Sequence, residues 1–384
     1  MKPIHLIFIA FTISTFACKK RYIPEIRADI RPLLVVEGVL NASPDTTVIS
    51  LTRLLRLDDT TRISMENNAT VTVEGSDNII RQLTDKGRGY YISGNLNLTI
   101  GENYRLRIKT IGGKEYLSDY TTAKRSGPID SVTWSEDDKG IHIFVNTSDP
   151  DKNTRYYRWE YDETWEIRSY YISEFVIVNG ATRPRILPDE DVYTCWRYDF
   201  STNVFIANTT NLEEDIIIDK QLITIPPNSE KLGRRYSFLV KQYALDKRGY
   251  EFFEQMKKNT EDVGSLFSPQ PVEIKGNINC LTNPDEPVLG FVSASTMEKK
   301  RIFLSDADVP LWRYHTGCER IPGDPAPLFP YNPPIPISNT RHFFDEVAYS
   351  PYGYEPISRS QNAAFDECIS CIKRRGYNRK PWYW

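Results

Sequence analysis

A chain of 384 residues has room for two or three domains and a sizeable hydrophobic core. Its 48 basic residues are nearly cancelled by 51 acidic ones, which excludes a nucleic-acid binder held by phosphate charge, since that needs a basic excess. Aromatic residues reach 12 %, with 23 tyrosines and 7 tryptophans against 4 methionines, a mix that favours strands over helices.

Residues 1–17, MKPIHLIFIAFTISTFA, carry a firm positive charge at Lys2, an apolar run from Ile4 to Phe16, and small Ala17 directly before Cys18. This pattern reads as a signal peptide, because a membrane-spanning helix needs about 20 apolar residues. A signal that ends in a small residue before cysteine resembles the bacterial lipobox, although Thr15 stands where leucine is usual. The resemblance implies cleavage ahead of Cys18 and lipidation of its thiol; ordinary secretion with cleavage nearby is the alternative. Several acyl chains would anchor the protein without a spanning helix. Residues 18–31 lack periodicity, open with Lys19, Lys20 and Arg21, and read as a tether.

From Leu33 onward the pattern is that of strands. LLVVEGVLNA is an apolar β-branched run, and TTVISLTRLLRL follows after the turn residues Ser43, Pro44 and Asp45. Ala69–Glu74, Ile79–Thr84 and Tyr90–Ile92 form further short strands, and in NYRLRIKT the residues Tyr104, Leu106 and Ile108 alternate with Arg105, Arg107 and Lys109. Seven or so such strands with regular turn signals predict an immunoglobulin-like β-sandwich over 32–125.

SGPIDSVTW opens a second β-rich domain, expected over 126–310. Ile141, Ile143 and Val145 alternate in one strand, and YYRWEYDETWEIRSYYIS, starting at Tyr156, is a long aromatic one. Phe252, Phe253, Met256 and Val263 recur at helical spacing, which predicts a helix near 248–263 with Asp246 as its cap and Gly264 as its stop. VEIKGNINCL and VLGFVSASTMEKKRIFLS read as returning strands that complete the second domain's sheet. Residues 311–384 form a C-terminal arm, with 7 prolines between Pro322 and Pro336 that favour extended chain and bar a central strand. Such an arm wraps the body or stands out as a recognition segment. The fold expected is therefore mainly β: an N-terminal sandwich, a second β-rich domain with one helix, and a Pro-rich, Cys-containing arm.

The leader, LVVEG at Leu34–Gly38, YRLRI after a Gly-Glu-Asn turn, GPIDSVTW, the pair GNINCLTNP and VLGFVSAS, and the closing CISCIKRRGYNRKPWYW together resemble a family of Bacteroidota lipoproteins built on domain of unknown function 4249. The terminal Gly376, Lys380, Pro381 and Trp384 fit that family's ending, which is here one residue longer than usual. The resemblance implies an outer-membrane lipoprotein encoded near a TonB-dependent transporter, and no catalytic residues. Surface lipoproteins of this phylum often carry acids just after the cysteine, whereas this chain has Lys19, Lys20 and Arg21, so the periplasmic and extracellular faces both stay open.

Two chemistries compete for the cysteines. His315 and Cys318 form H-x-x-C, Cys368 and Cys371 form C-x-x-C, and together they could build a Cys₃His zinc site. An exported chain, however, lies where disulfides persist. With Cys18 lipidated, Cys195, Cys280, Cys318, Cys368 and Cys371 remain, which fits two disulfides and one spare thiol; no metal is expected. Hydrolase and phosphate-loop signatures are missing, and His142 sits within an alternating strand, so neither an enzyme nor a cofactor is expected. The expectation is a non-catalytic binding or accessory partner of a TonB-dependent transporter in nutrient uptake, the alternative being a structural or adhesive cell-surface lipoprotein. Candidate contact residues are Tyr157, Trp159, Trp165, Trp382 and Trp384, each with core packing as the competing role.

Overall fold

The computed structural model describes residues 33–54, 63–152, 154–170, 172–178, 181–261, 274–309, 314, 316, 318, 346–349, 368 and 370–384. The leader with Cys18, the tether, His315 and the proline run lie outside the described residues. The protein is mainly β, with a single α-helix among the described residues.

The first unit begins with β1 (Leu33–Asn41), β2 (Thr47–Leu54), β3 (Ile63–Met65), β4 (Thr70–Gly75), β5 (Ile80–Asp85), β6 (Tyr90–Ser93), β7 (Asn103–Lys109), β8 (Glu115–Ser118) and β9 (Thr121–Thr122). Period-two alternation decides its faces. Val71 and Val73 of β4, and Tyr104, Leu106 and Ile108 of β7, point into one core with Leu34, Ile49, Leu51 and Tyr116. Arg105 and Arg107 point outward, where Glu74 of the neighbouring strand accepts from both. These ion pairs hold the Glu74 carboxyl below its ordinary range, Arg107 first and Arg105 after it, against the opposing effect of burial. The strands β1, β2 and β6 form one face and β4, β7 and β8 the other, and β5 pairs with both β4 and β6. The expected sandwich is thus one curled, nearly closed, barrel-like sheet.

The second unit contains β10 (Ile129–Asp137), β11 (Gly140–Ser148), β12 (Tyr156–Arg168), β13 (Ile172–Val178), β14 (Ala181–Pro184), β15 (Thr194–Phe200), β16 (Phe205–Asn208), β17 (Ile216–Ile225) and β18 (Arg235–Ala244), followed by α1 (Lys247–Glu261). Ile141, Ile143 and Val145 of the sheet β10-β11-β17 pack on Trp159, Tyr236, Phe238 and Val240 of the sheet built on β12 and β18. The helix starts where expected: the Asp246 carboxylate accepts the Gly249 N–H at 2.7 Å, capping an otherwise unpaired donor. Phe252 and Phe253 then seat the helix on Leu245, Ile206 and Phe291.

The returning segments part from the sequence expectation. They form β19 (Ile278–Cys280), β20 (Val288–Leu289), β21 (Ser293–Ser295) and β22 (Met297–Ser305). Only β22 joins the second sheet, along β18. β19 pairs with β8, and β20 and β21 pair with β1, so this stretch completes the first unit instead. Two glycines permit it: a Cβ on Gly276 would sit 1.7 Å from the Gly290 carbonyl oxygen, and one on Gly290, at φ +147°, would sit 2.2 Å from that of Val36. Asn277 clasps the seam, its amide donating to Val292 O and accepting from Val292 N, each at 2.8 Å. Finally β23 (Glu346–Tyr349) pairs with β13 in a small sheet with β14.

The junction between units is a buried amide. Gln242 accepts from Trp159 Nε1 at 2.7 Å, and its own amide donates to Gly127 O at 2.8 Å and Thr147 Oγ1 at 3.0 Å. The linker Ser126–Gly127 is therefore fixed by β18 rather than left as a free hinge.

Candidate functional site

The strand β12 sorts its residues by parity. Tyr157, Trp159, Tyr161, Trp165 and Ile167 face the sandwich core, and the charged Arg158, Glu160, Asp162 and Arg168 lie on the opposite face. Tyr157, Trp159 and Trp165, expected as contact residues, are 0 %, 1 % and 4 % exposed and serve as core. The correction has a simple cause: a strand whose alternate positions are charged must bury the other set, and here that set is aromatic apart from Ile167 and Glu163, whose carboxylate is held by Lys231 and Tyr236.

The chain's own end wraps the edge of this sheet at β15, with its disulfide on the core side beside Ile167 and its last two residues on the outer face. Cys371 is bonded to Cys195 of β15, closing a loop with a sequence separation of 176, and Cys318 is bonded to Cys368 with a separation of 50. On the loop-entropy account, bridges of these spans contribute about 5 and 4 kcal/mol. Cys280 is the spare thiol, buried in the first unit. The zinc alternative fails on chemistry, since Cys318, Cys368 and Cys371 all spend their sulfurs on disulfides; among the described residues no cluster suited to a metal occurs.

Beyond Cys371 the segment is tied down residue by residue. Tyr377 and Trp196 exchange two backbone hydrogen bonds at 2.8 Å each, extending the sheet past β15. Gly376 lies so close to the bridge that a Cβ there would meet Cys195 Cβ at 2.5 Å. Tyr383 shares a 2.6 Å hydrogen bond with Thr164, and the Arg301 guanidinium lies 3.7 Å above its ring. Trp384 donates to Glu166 at 3.3 Å and meets Trp196 and Phe303 edge-on. Burial raises the Tyr198 hydroxyl above its ordinary value, with Tyr383 and Tyr377 beside it acting the same way. Trp382 turns outward, at 94 % exposure. The two terminal tryptophans thus divide: Trp384 packs on the sheet, and Trp382 faces solvent.

Where this segment meets the end of β12 and the turn Glu230–Leu232, a cleft of about 350 Å³ opens. Arg168, Arg234 and Arg374 line it opposite Glu166 and Glu230. Arg374 is held in place by three bonds, to Arg168 O at 2.9 Å, Glu230 at 3.0 Å and Tyr314 Oη at 3.2 Å. Glu230 also accepts from Arg197 and from Trp165 Nε1, so one carboxylate gathers the core, the sheet edge and the terminal segment. Arg168 is held by Glu166 and lies 6.0 Å over the Tyr193 ring. Guanidinium forks beside phenol rings suit ligands that present carboxylate, phosphate or hydroxyl oxygens. Neither a histidine nor a thiol is among the described residues that line the cleft. His142 lies elsewhere, between Asp137 at 2.8 Å and Thr224 at 3.0 Å on the outer side of β11.

Sequence reasoning reached the basic and aromatic character of the ending but missed Arg168, Arg197 and Glu230. A signal for one cleft residue existed, since Arg374 sits in the basic run that directly follows the C-x-x-C pair.

The fold and its stapled ending define a mainly β protein with a nearly closed, barrel-like first sheet, a sandwich in the second unit, and a C-terminal segment bonded to that sandwich's edge strand. Residues 19–301 match the family described as a domain of unknown function, DUF4249, and the chain belongs to that family. Among curated proteins no match was found. The matched stretch ends within β22, so the stapled segment lies beyond it.

Proposed function

We propose that this protein is an outer-membrane lipoprotein, anchored through Cys18, that acts as a non-catalytic binding or accessory partner of a TonB-dependent transporter in nutrient uptake. The observation that carries the reading is the leader ending at Ala17–Cys18 on a chain of this family. The cleft beside Arg374 supports it by supplying a concave polar surface held by a disulfide-fixed segment. Rigid placement matters because a preorganised site loses less entropy on binding.

Deleting the gene tests the reading. A growth defect on one nutrient, restored by the native gene and poorly by a Cys18→Ala copy, is the expected result. Normal uptake with lost surface attachment would overturn it in favour of a structural or adhesive role.

A further inference from the structure

The stapled ending has a charge pattern that neither the fold nor the cleft uses. From Cys368 to Trp384 there are five basic residues, Lys373, Arg374, Arg375, Arg379 and Lys380, and no Asp or Glu. Arg374 is spent on Glu230. Arg375, Arg379 and Lys380 are exposed, and no carboxylate among the described residues pairs with them. In the loop packed against the segment, Glu190 is held by Arg183, which leaves Asp189 and Asp191, the latter accepting the Tyr193 N–H, as two local counter-charges for three cations. Between the free cations stand Ile372 at 43 %, Tyr377 at 64 % and Trp382 at 94 % exposure. An ordered, covalently fixed segment does not leave a tryptophan and three cations in water to build its own core.

Basic side chains interleaved with outward Trp and Tyr suit the headgroup region of an anionic membrane: the cations meet lipid phosphates, and the amphipathic rings sit at the boundary. The geometry points to this segment as a docking surface for the anionic lipid surface itself, turning the body so that the stapled edge of the second unit, beyond β15, lies toward the membrane. In one respect the inference rests on the anchor reading. Between Cys18 and Leu33 the chain can span at most about 50 Å, so an anchored body stays within reach of the bilayer.

The test separates the two. The chain from Lys19 onward, which keeps every described element and carries no lipid, is sedimented with vesicles of phosphatidylcholine alone or mixed with phosphatidylglycerol. Binding to the anionic vesicles only, weakening with salt, is expected. Each basic side chain near such a surface is worth about a factor of five, so Arg375→Gln/Arg379→Gln/Lys380→Gln should weaken binding on the order of 100-fold. Trp382→Ala, which removes an exposed ring whose neighbour is the edge of Tyr383, should weaken it severalfold and remove the fluorescence blue shift on binding. Lys19→Ser/Lys20→Ser/Arg21→Ser controls for the tether and should leave binding that still depends on the C-terminal residues. Equal binding to neutral vesicles, binding lost with the tether variant and untouched by the C-terminal one, or capture of an acidic peptide without vesicle binding would each overturn the inference. Lipid labelling of the full chain in cells is read separately. If Cys18 takes no label, the anchor reading falls and the vesicle result stands.

Discussion

Replacing Gly376 by alanine tests whether the ending is built around its disulfide. The added methyl would lie 2.5 Å from Cys195 Cβ, 2.8 Å from the Cys371 carbonyl oxygen and 2.9 Å from Ile167 Cδ1. Real Cβ atoms do not approach so closely, and two of the three obstacles belong to the residues of one covalent bridge. The segment must therefore lift, straining the Tyr377–Trp196 backbone pair and the Gly376 N–H bond to Cys371 O at 3.0 Å. Overpacking of this kind costs about 1–3 kcal/mol. Urea unfolding followed by tryptophan fluorescence should show that loss for Gly376→Ala, against no more than about 0.5 kcal/mol for the exposed neighbour Arg379→Ala. A double-mutant cycle with Cys195→Ser/Cys371→Ser sharpens the test, because a segment freed from the bridge can move aside. The alanine should then cost less than about 1 kcal/mol, giving a coupling of about 1–2 kcal/mol. An alanine cost below about 0.5 kcal/mol, or one equal with and without the bridge, would refute the reasoning.

Two further predictions follow from buried polar groups. Glu286 is buried between Lys114 and Tyr116 Oη; burial, the largest single influence, raises its carboxyl, but hydrogen bonds from Lys114 and Tyr116 outweigh it and hold it below the ordinary 4.5. A depressed carboxyl stabilises the fold above its unfolded value and loses that contribution as pH falls through the folded one. Glu286→Gln should therefore lower the urea midpoint at pH 7 by an amount that shrinks below about pH 4.5, whereas a gap unchanged down to pH 3 would count against it. Gln242→Ala strands Trp159 Nε1 and removes a donor from Gly127 O and Thr147 Oγ1, which keep bonds to Ser126 Oγ and Pro128 O, and should cost about 2 kcal/mol. A loss under about 1 kcal/mol would mean that the linker is not held by this amide.

Much of the fold was legible because strands announce themselves by alternation. Val71 and Val73, Tyr104, Leu106 and Ile108, and Ile141, Ile143 and Val145 all took the inward faces that period two assigns. The helix was legible from Phe252, Phe253 and Met256 together with the Asp246 cap. What failed was placement at long range. Strands of two or three residues such as Val288–Leu289 have no period, and their partner is chosen by backbone contacts at Gly276 and Gly290 that only the folded chain reveals. In β12 the aromatic character drew attention to Tyr157, Trp159 and Trp165, though the charges at alternate positions already marked them as core. An odd cysteine count pointed to two bridges and a spare thiol, but connectivity depends on which Cα atoms folding brings to 5.7 Å. The cleft was illegible for the same reason: Arg168, Glu230, Tyr314 and Arg374 are far apart in sequence and meet only once the ending is stapled.

Everything proposed of this protein depends on partnership at the outer membrane. Affinity purification of the tagged full chain from gently solubilised outer membranes measures it most directly. A TonB-dependent transporter should be recovered in comparable amount, and Cys18→Ala should reduce its recovery. Recovery of no transporter above background, from membranes in which the chain itself is abundant, would contradict it.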